Sequence, residues 1–199
     1  MKGPDYTSSV DGSLVLRLYR TGLFPMADPK TGTIWWYSTD PRGVLPLDAV
    51  HVPRTTRQAM KKFRVTSDRA FEQVIDGCAA RAETWISSEI RETYLDLHRR
   101  GHAHSVESWR GETLAGGLYG VHIGGAFFAE SMFHRVTDGG KVALVRFAEH
   151  LVKLGFALCD LQMVTRITQR FGATLVPRER YLVMLAKAIA LQVAWKPLE

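Results

Sequence analysis

Two cysteines, Cys78 and Cys159, are all that the 199 residues contain, and they stand far apart in apolar surroundings. Such a pair supports neither a disulfide scaffold nor a Cys-x-x-Cys metal site, and reads as buried free thiols. No apolar run approaches the roughly 18 residues that a membrane-crossing helix needs. The opening "MKGPDYTSSVDGS" lacks the apolar centre of an export signal, so a cytoplasmic location and no membrane contact are expected. There is no GxSxG elbow around which Ser131, His134 and Asp160 would work as a triad. The glycines of "GGLYGVHIGG" have neither spacing that cradles phosphates, and close strand packing accounts for them. His102 and His104 project to one side of a strand, but no cysteine, further histidine or aspartate stands at metal-site spacing. Neither a metal nor a cofactor is therefore expected.

What is present describes a globular protein. With 46% hydrophobic and 23% charged residues, the chain is long enough for one sizeable domain or two small, closely packed ones. A formal net charge of +6 favours a polyanionic partner. Its distribution is more telling than its total. In "VPRTTRQAMKKFRV", Arg54, Arg57 and Lys61 fall three and four apart, on one side of a helix, and Lys62 and Arg64 follow. The result is a basic ridge, either a solvated helix face or a contact for a phosphate backbone.

Along the chain, "SLVLRLYRTG" predicts a short helix started by Ser13 and stopped at Gly22. "TIWWYSTDPRGVLPL" predicts an aromatic strand, a turn through Asp40, Pro41, Arg42 and Gly43, and a second short strand. Helical patterns follow at about 55–63, 70–82 and 87–100, with a short strand at Val65 and Thr66. From residue 102 the period changes to two in "HAHSVESW", "TLAGGLYGVHI" and "GAFFAESMF". "GGKVALVRFAEHLVKLGF" is an amphipathic helix whose inner stripe holds Leu144, Ala148 and Leu151. "ALCDLQ" and "ATLVP" predict strands, separated by the short helix "VTRITQRFG" and followed by the terminal helix "RERYLVMLAKAIALQ". Antiparallel strands followed by a helix and a neighbouring strand make an α+β or mixed α/β sheet. A boundary near residues 63 and 64 would separate a small N-terminal unit, 1–63, from the rest, 64–199.

One carboxylate stands out. Strand alternation puts Phe128, Glu130 and Met132 on one face and Phe127, Ala129, Ser131 and Phe133 on the other, so Glu130 shares its face with apolar neighbours. A carboxylate there either meets a buried cation or waits for a cationic ligand. In "ALCDLQ", Leu158, Asp160 and Gln162 share a face, and the acid and amide each need partners. They form either a structural network at the sheet end or a polar site at a pocket rim.

Taken in order, "YRTGLFPM", "IWWYSTDPRGVLPL", "GHAHSVESW", "AGGLYGVHIGGAFFAESMFHR", "KVALV", "LCDLQ", "FGA" and "VPRERYL" resemble the leucyl/phenylalanyl-tRNA–protein transferase family from about residue 13 to 185. The resemblance implies a GNAT-like acyltransferase sheet with a small N-terminal α/β domain. It implies transfer of Leu, Phe or Met from charged tRNA to the N-terminal Arg or Lys of a protein, marking that protein for degradation. The partners it implies are aminoacyl-tRNA and a protein or peptide with a basic N-terminal residue, and nothing demands more than a monomer. By the same resemblance, Gln162 accepts a hydrogen bond from the attacking amine, Asp160 orients and polarises Gln162, and Glu130 receives the cationic side chain of the acceptor. Phe128, Met132, Phe147 and Phe156 would line the pocket for the transferred side chain. Trp109 and one of Trp35 and Trp36 would hold the terminal adenosine, and Arg54, Arg57, Lys61, Lys62 and Arg64 would contact tRNA phosphates.

Two departures accompany the match. The usual Gly-Gly-Asp stretch is reduced to "SVDGS", and Ile167 stands where the family commonly carries a histidine. Two other readings differ in class. An acyl-CoA N-acetyltransferase would need a Q/R-x-x-G-x-G/A pyrophosphate loop, which this sequence lacks. A non-catalytic tRNA- or degron-binding protein would not need Glu130, Asp160 and Gln162 together.

Overall fold

The computed structural model describes residues 10–81 and 84–198. Most of the opening segment read for an export signal lies outside them. Helix α1, Gly12–Tyr19, starts before Ser13, because Asp11 is the N-cap and its Oδ1 accepts the Leu14 N–H at 2.8 Å. Val15 and Tyr19, four apart, bury the inner face of α1. Strands β1, Phe24–Ala27, and β2, Ile34–Tyr37, pair antiparallel as a separate two-stranded sheet. Strand β3, Arg42–Leu45, does not join them. It is hydrogen-bonded inside the large sheet, so the chain enters that sheet before the expected division at residues 63 and 64.

The remaining elements are α2 (Arg54–Met60), β4 (Arg64–Ser67), α3 (Phe71–Ala79), α4 (Ser88–Arg99), β5 (Ala103–Arg110), β6 (Thr113–Ile123) and β7 (Ala126–His134). They continue with α5 (Gly139–Leu154), β8 (Leu158–Gln162), α6 (Arg166–Gln169), β9 (Thr174–Val176) and α7 (Arg178–Ile189). The seven-stranded sheet runs β4-β5-β6-β7-β8-β3-β9, antiparallel except for β7 and β8, which are parallel and linked through α5. The architecture is therefore mixed α/β. One face of the sheet buries Val15, Val74, Ile90, Tyr94, Phe128 and Tyr181 under α1, α3, α4 and α7. The other buries Phe127, Val145, Phe147 and Leu151 with α5, and α2 and the C-terminal segment lie on that side. The inner stripe of α5 is as the periodicity predicts: Leu144, Ala148 and Leu151 are buried, while Arg146, Glu149 and Lys153 are exposed.

The alternation expected around Glu130 does not hold. Ala129 pairs with Gly120 and Ser131 with Tyr119, so Glu130 is the extra residue of a β-bulge. A one-residue insertion reverses the faces beyond it. Phe128 and Phe133 consequently pack in one core, and Phe127 and Met132 in the other. The bulge depends on Gly120, where an added Cβ would lie 2.1 Å from the Phe128 carbonyl oxygen. Gly120→Ala should cost about 3 kcal/mol in urea unfolding, at the upper end for overpacking, because the obstacle is backbone.

Candidate active site

Pairing between β7 and β8 is confined to Ala126, Phe127 and Phe128 against Leu158, Cys159 and Asp160. Beyond those residues the strands part and a cavity of about 350 Å³ opens between them. Its apolar walls include Phe24, Met26, Trp85, Met132, Leu144 and Ile167, and its polar groups include Glu130 and Gln162.

Glu130 and Gln162 meet at the cavity. Gln162 Nε2 donates to Glu130 Oε1 at 3.1 Å, and the Tyr19 hydroxyl donates to the same oxygen at 2.5 Å. The Tyr19 and Tyr94 hydroxyls are 2.6 Å apart, so two buried phenols, from α1 and α4, stand behind the carboxylate. Glu130 is thus not the partnerless acid of the sequence reading, but its bonded partners are neutral. Among the described residues no basic side chain forms an ion pair with it. Desolvation pushes the Glu130 carboxyl up to about 8, partly opposed by the Tyr19 hydrogen bond, while the charge of Asp160 raises it further. The half-buried acid is therefore mostly protonated at neutral pH.

Asp160 has a different role. It is fully buried and takes Arg42 bidentately, Nε to Oδ1 at 2.8 Å and Nη2 to Oδ2 at 2.7 Å. The Tyr181 hydroxyl donates to Oδ2 at 2.6 Å. Oδ1 also accepts the backbone N–H of Gln162 at 2.8 Å. Asp160 therefore holds the Gln162 main chain rather than its side-chain amide. Gln162 has φ 57°, a left-handed conformation unusual for a residue with a side chain, and Thr39 Oγ1 donates to its carbonyl at 2.8 Å. Gly43 lies beside this turn, and a Cβ there would meet the Met163 carbonyl carbon at 2.7 Å.

The left-handed backbone gives a test that separates function from support. Glycine at 162 relieves roughly 1–2 kcal/mol of conformational cost while losing the Nε2 bond to Glu130. Gln162→Gly should unfold within about 1 kcal/mol of the parent protein, and a loss of roughly 100-fold in turnover at that unchanged stability would mark the amide as a positioning group and not a support.

Several residues expected at the site are elsewhere. Phe147 and Phe156 lie in the core on the α5 face, packed against Phe127 at centroid distances of 4.7 and 6.0 Å, and neither lines the cavity. Phe128 is buried behind the cavity, 4.6 Å from the Tyr19 ring, whereas Met132 lines it. The register Met26↔Trp35 and Phe24↔Tyr37 puts Trp35 on the same side of the small sheet as two cavity residues. Trp36 points the other way, into the core. Trp109 sits on β5, two strands from β7. Its Nε1 donates to Thr66 Oγ1 at 2.8 Å and its ring carries Arg64 at 5.4 Å, so it is not brought to the cavity. Arg54, Arg57, Lys61, Lys62 and Arg64 are all exposed, and α2 buries Thr56 and Ala59 beneath them. The ridge lies on the α5 side of the sheet, the side from which Leu144 reaches the cavity.

The sequence reading missed Tyr19, Tyr94, Trp85, Arg81 and Arg42. Tyr19 and Tyr94 look like ordinary core positions of amphipathic helices, and Arg42 looks like a turn residue in "DPRG". Arg81 lines the cavity and donates from Nη2 to the Met132 carbonyl. The available signal was the phenol at the inner end of a helix, since a buried Tyr O–H needs a partner.

Known proteins resemble this chain over nearly its whole length. Residues 44–186 match the family model described as leucyl/phenylalanyl-tRNA protein transferase, and residues 11–40 match the N-terminal domain of the same transferase. The leucyl/phenylalanyl-tRNA–protein transferase of Salinibacter ruber is 49% identical over 187 residues, covering 93% of this chain and 83% of its own length. Those of Rhodopseudomonas palustris and Rubrobacter xylanophilus are each 49% identical, covering 95% and 92% of this chain and 86% and 96% of their own. Among solved structures, a GCN5-related N-acetyltransferase-like protein from Streptococcus suis is 11% identical with a TM-score of 0.38, covering 82% of this chain and 63% of its own. With both the main and the N-terminal family models matched, and close to half of all positions shared with relatives of similar length, the chain belongs to the leucyl/phenylalanyl-tRNA–protein transferase family.

Proposed function

We infer that the protein is an aminoacyltransferase that moves leucine or phenylalanine from charged tRNA to the N-terminal Arg or Lys of a protein. The observation that carries this reading is a carboxylate at an apolar cavity whose bonded partners are phenols and an amide, with no ion-pair partner among the described residues. A guanidinium or ammonium from the acceptor supplies the missing charge. The apolar walls at Met26, Trp85, Met132 and Leu144 suit a leucine or phenylalanine side chain.

The chemistry requires little activation. An aminoacyl ester is already activated, and an α-amine with a pKa of roughly 7.7–8 is partly neutral at cellular pH. The protein's contribution is alignment. Gln162, its Nε2 committed to Glu130, has its carbonyl oxygen left to accept an N–H of the attacking amine. As the C–N bond forms, the ester C–O bond breaks, and the proton shed by nitrogen ends on the departing ribose oxygen, directly or through water. A neutral amide is a poor proton acceptor, so Gln162 positions the amine. Asp160, neutralised by Arg42, fixes the backbone from which Gln162 projects.

Trp35 is suited to stack the terminal adenosine, and the exposed ridge Arg54 to Arg64 to meet acceptor-stem phosphates. No helix among the described residues is long and apolar enough to cross a membrane, and we place the activity in the cytoplasm, where charged tRNA is. Purified protein, Leu- or Phe-charged tRNA and a peptide beginning with Arg should yield the extended peptide. No transfer from either donor would overturn the reading.

A further inference from the structure

We propose that His104 and His122, completed by His102, bind one zinc-type transition-metal ion on the face of the sheet opposite Glu130. The strand register assembles the group. His102 and His104 are two apart at the start of β5, and Ala103↔Val121 pairing sets His122 of β6 opposite His102, with the His122 N–H donating to the His102 carbonyl at 2.9 Å. All three side chains therefore rise from one face of one antiparallel pair. His104 Nε2 and His122 Nδ1 share a hydrogen bond at a separation of 3.1 Å, which an ion between them would replace. That is close to the roughly 3.3 Å between two nitrogens that each lie about 2.0–2.1 Å from a tetrahedral zinc ion.

The surroundings select the ligand atoms. His104 Nδ1 donates to Asp68 Oδ2 at 2.9 Å, the carboxylate–histidine arrangement that fixes a tautomer and leaves Nε2 with its lone pair. Asp68 is itself held by the Ser105 N–H at 2.9 Å and by Trp195 Nε1 at 2.8 Å, which makes it the orienting partner and not a ligand. Trp195 also stacks on His104 at 4.4 Å, so the imidazole is clamped between a carboxylate and an indole. His98 Nδ1 is 3.9 Å from Asp68 but is bonded to the Ala103 carbonyl at 2.8 Å, which takes it out of the set. His102 is half-exposed, its ring 6.3 Å from that of His122, and swings in by side-chain rotation as the third ligand, leaving the fourth position to water.

Such an ion would tie the β5–β6 pair to Asp68 and the C-terminal Trp195. Its test is read in metal binding and melting temperature, independently of transferase activity. The chain, stripped with EDTA and dialysed, is titrated with Co²⁺. Expected are one equivalent bound with the visible bands of a tetrahedral site, displacement by Zn²⁺, and a higher melting temperature with Zn²⁺. Asp68→Asn should weaken binding roughly 10–100-fold. His122→Ala should abolish the Co²⁺ bands, and His102→Ala, at a half-exposed position that leaves the core intact, should weaken binding at least tenfold. No stoichiometric Co²⁺ uptake, or uptake unchanged in both histidine variants, would overturn the proposal.

Discussion

Glu130→Gln should lower kcat/KM for a peptide beginning with Arg by roughly 30-fold to several thousand-fold, the 2–5 kcal/mol lost when one partner of a hydrogen-bonded charge pair is removed. On the proposed roles, the carboxylate binding the acceptor side chain and Gln162 contacting the reacting amine, most of the effect falls on KM. Any residual transfer to a peptide with an uncharged first residue should be unchanged, and an equal loss on both peptides would contradict the assignment. The same variant should be more stable than the parent at high pH. The Glu130 carboxyl is raised from 4.5 to about 8, so between those values the folded protein holds a proton that the unfolded chain has released. Its contribution to stability is complete below about pH 4.5, is lost as pH rises through 8, and is constant above. Glutamine never ionises. Melting temperatures measured from pH 5 to pH 9 should therefore diverge in favour of Glu130→Gln, a gain that an acid ion-paired with a base, its carboxyl held low, would not produce.

Arg42→Met should destabilise the fold by about 3–5 kcal/mol, because it leaves Asp160 charged, buried and without its counter-ion. For a chain of this size that is roughly 6–20 °C in melting temperature. The guanidinium is fully buried and every nitrogen is in use: two bond Asp160 and Nη1 donates to the Gly22 carbonyl at 2.9 Å. It also lies 4.8 Å from the ring centres of both Phe24 and Tyr181, so the pair joins the N-terminal segment to β8. The double variant Arg42→Met with Asp160→Asn should regain at least half of the lost stability, since the amide carries no charge to strand. Transfer should stay low in the double variant, as the Gln162 backbone N–H loses its carboxylate anchor. A single Arg42→Met variant melting within 1 °C of the parent would contradict this account.

Much of the fold was legible because its signals are local. The strand at "TLAGGLYGVHI" coincides with β6, and the inner stripe of α5 follows from helical spacing alone. Glu130, Asp160 and Gln162 were legible as polar residues out of place on apolar strands, and the structure brings them together. Misreadings came where the answer was not local. Alternation assigned Met132 and Phe128 to one face because a bulge leaves no mark on period-two spacing, and Gly120, which permits it, sits on the neighbouring strand. Phe147 and Phe156 carry the composition of a pocket lining but lie across the sheet from Glu130.

By itself the sequence determined most of the elements but not β1, together with their faces away from the bulge, the family and the three polar residues on which the proposed chemistry rests, since these leave marks within a few positions along the chain. Tertiary structure alone decided that Arg42 neutralises Asp160 from 118 positions away, that Tyr19 meets Glu130 from 111, and that no basic side chain among the described residues pairs with Glu130. Charge pairing depends on which groups share a buried volume, and that is settled only when distant segments pack.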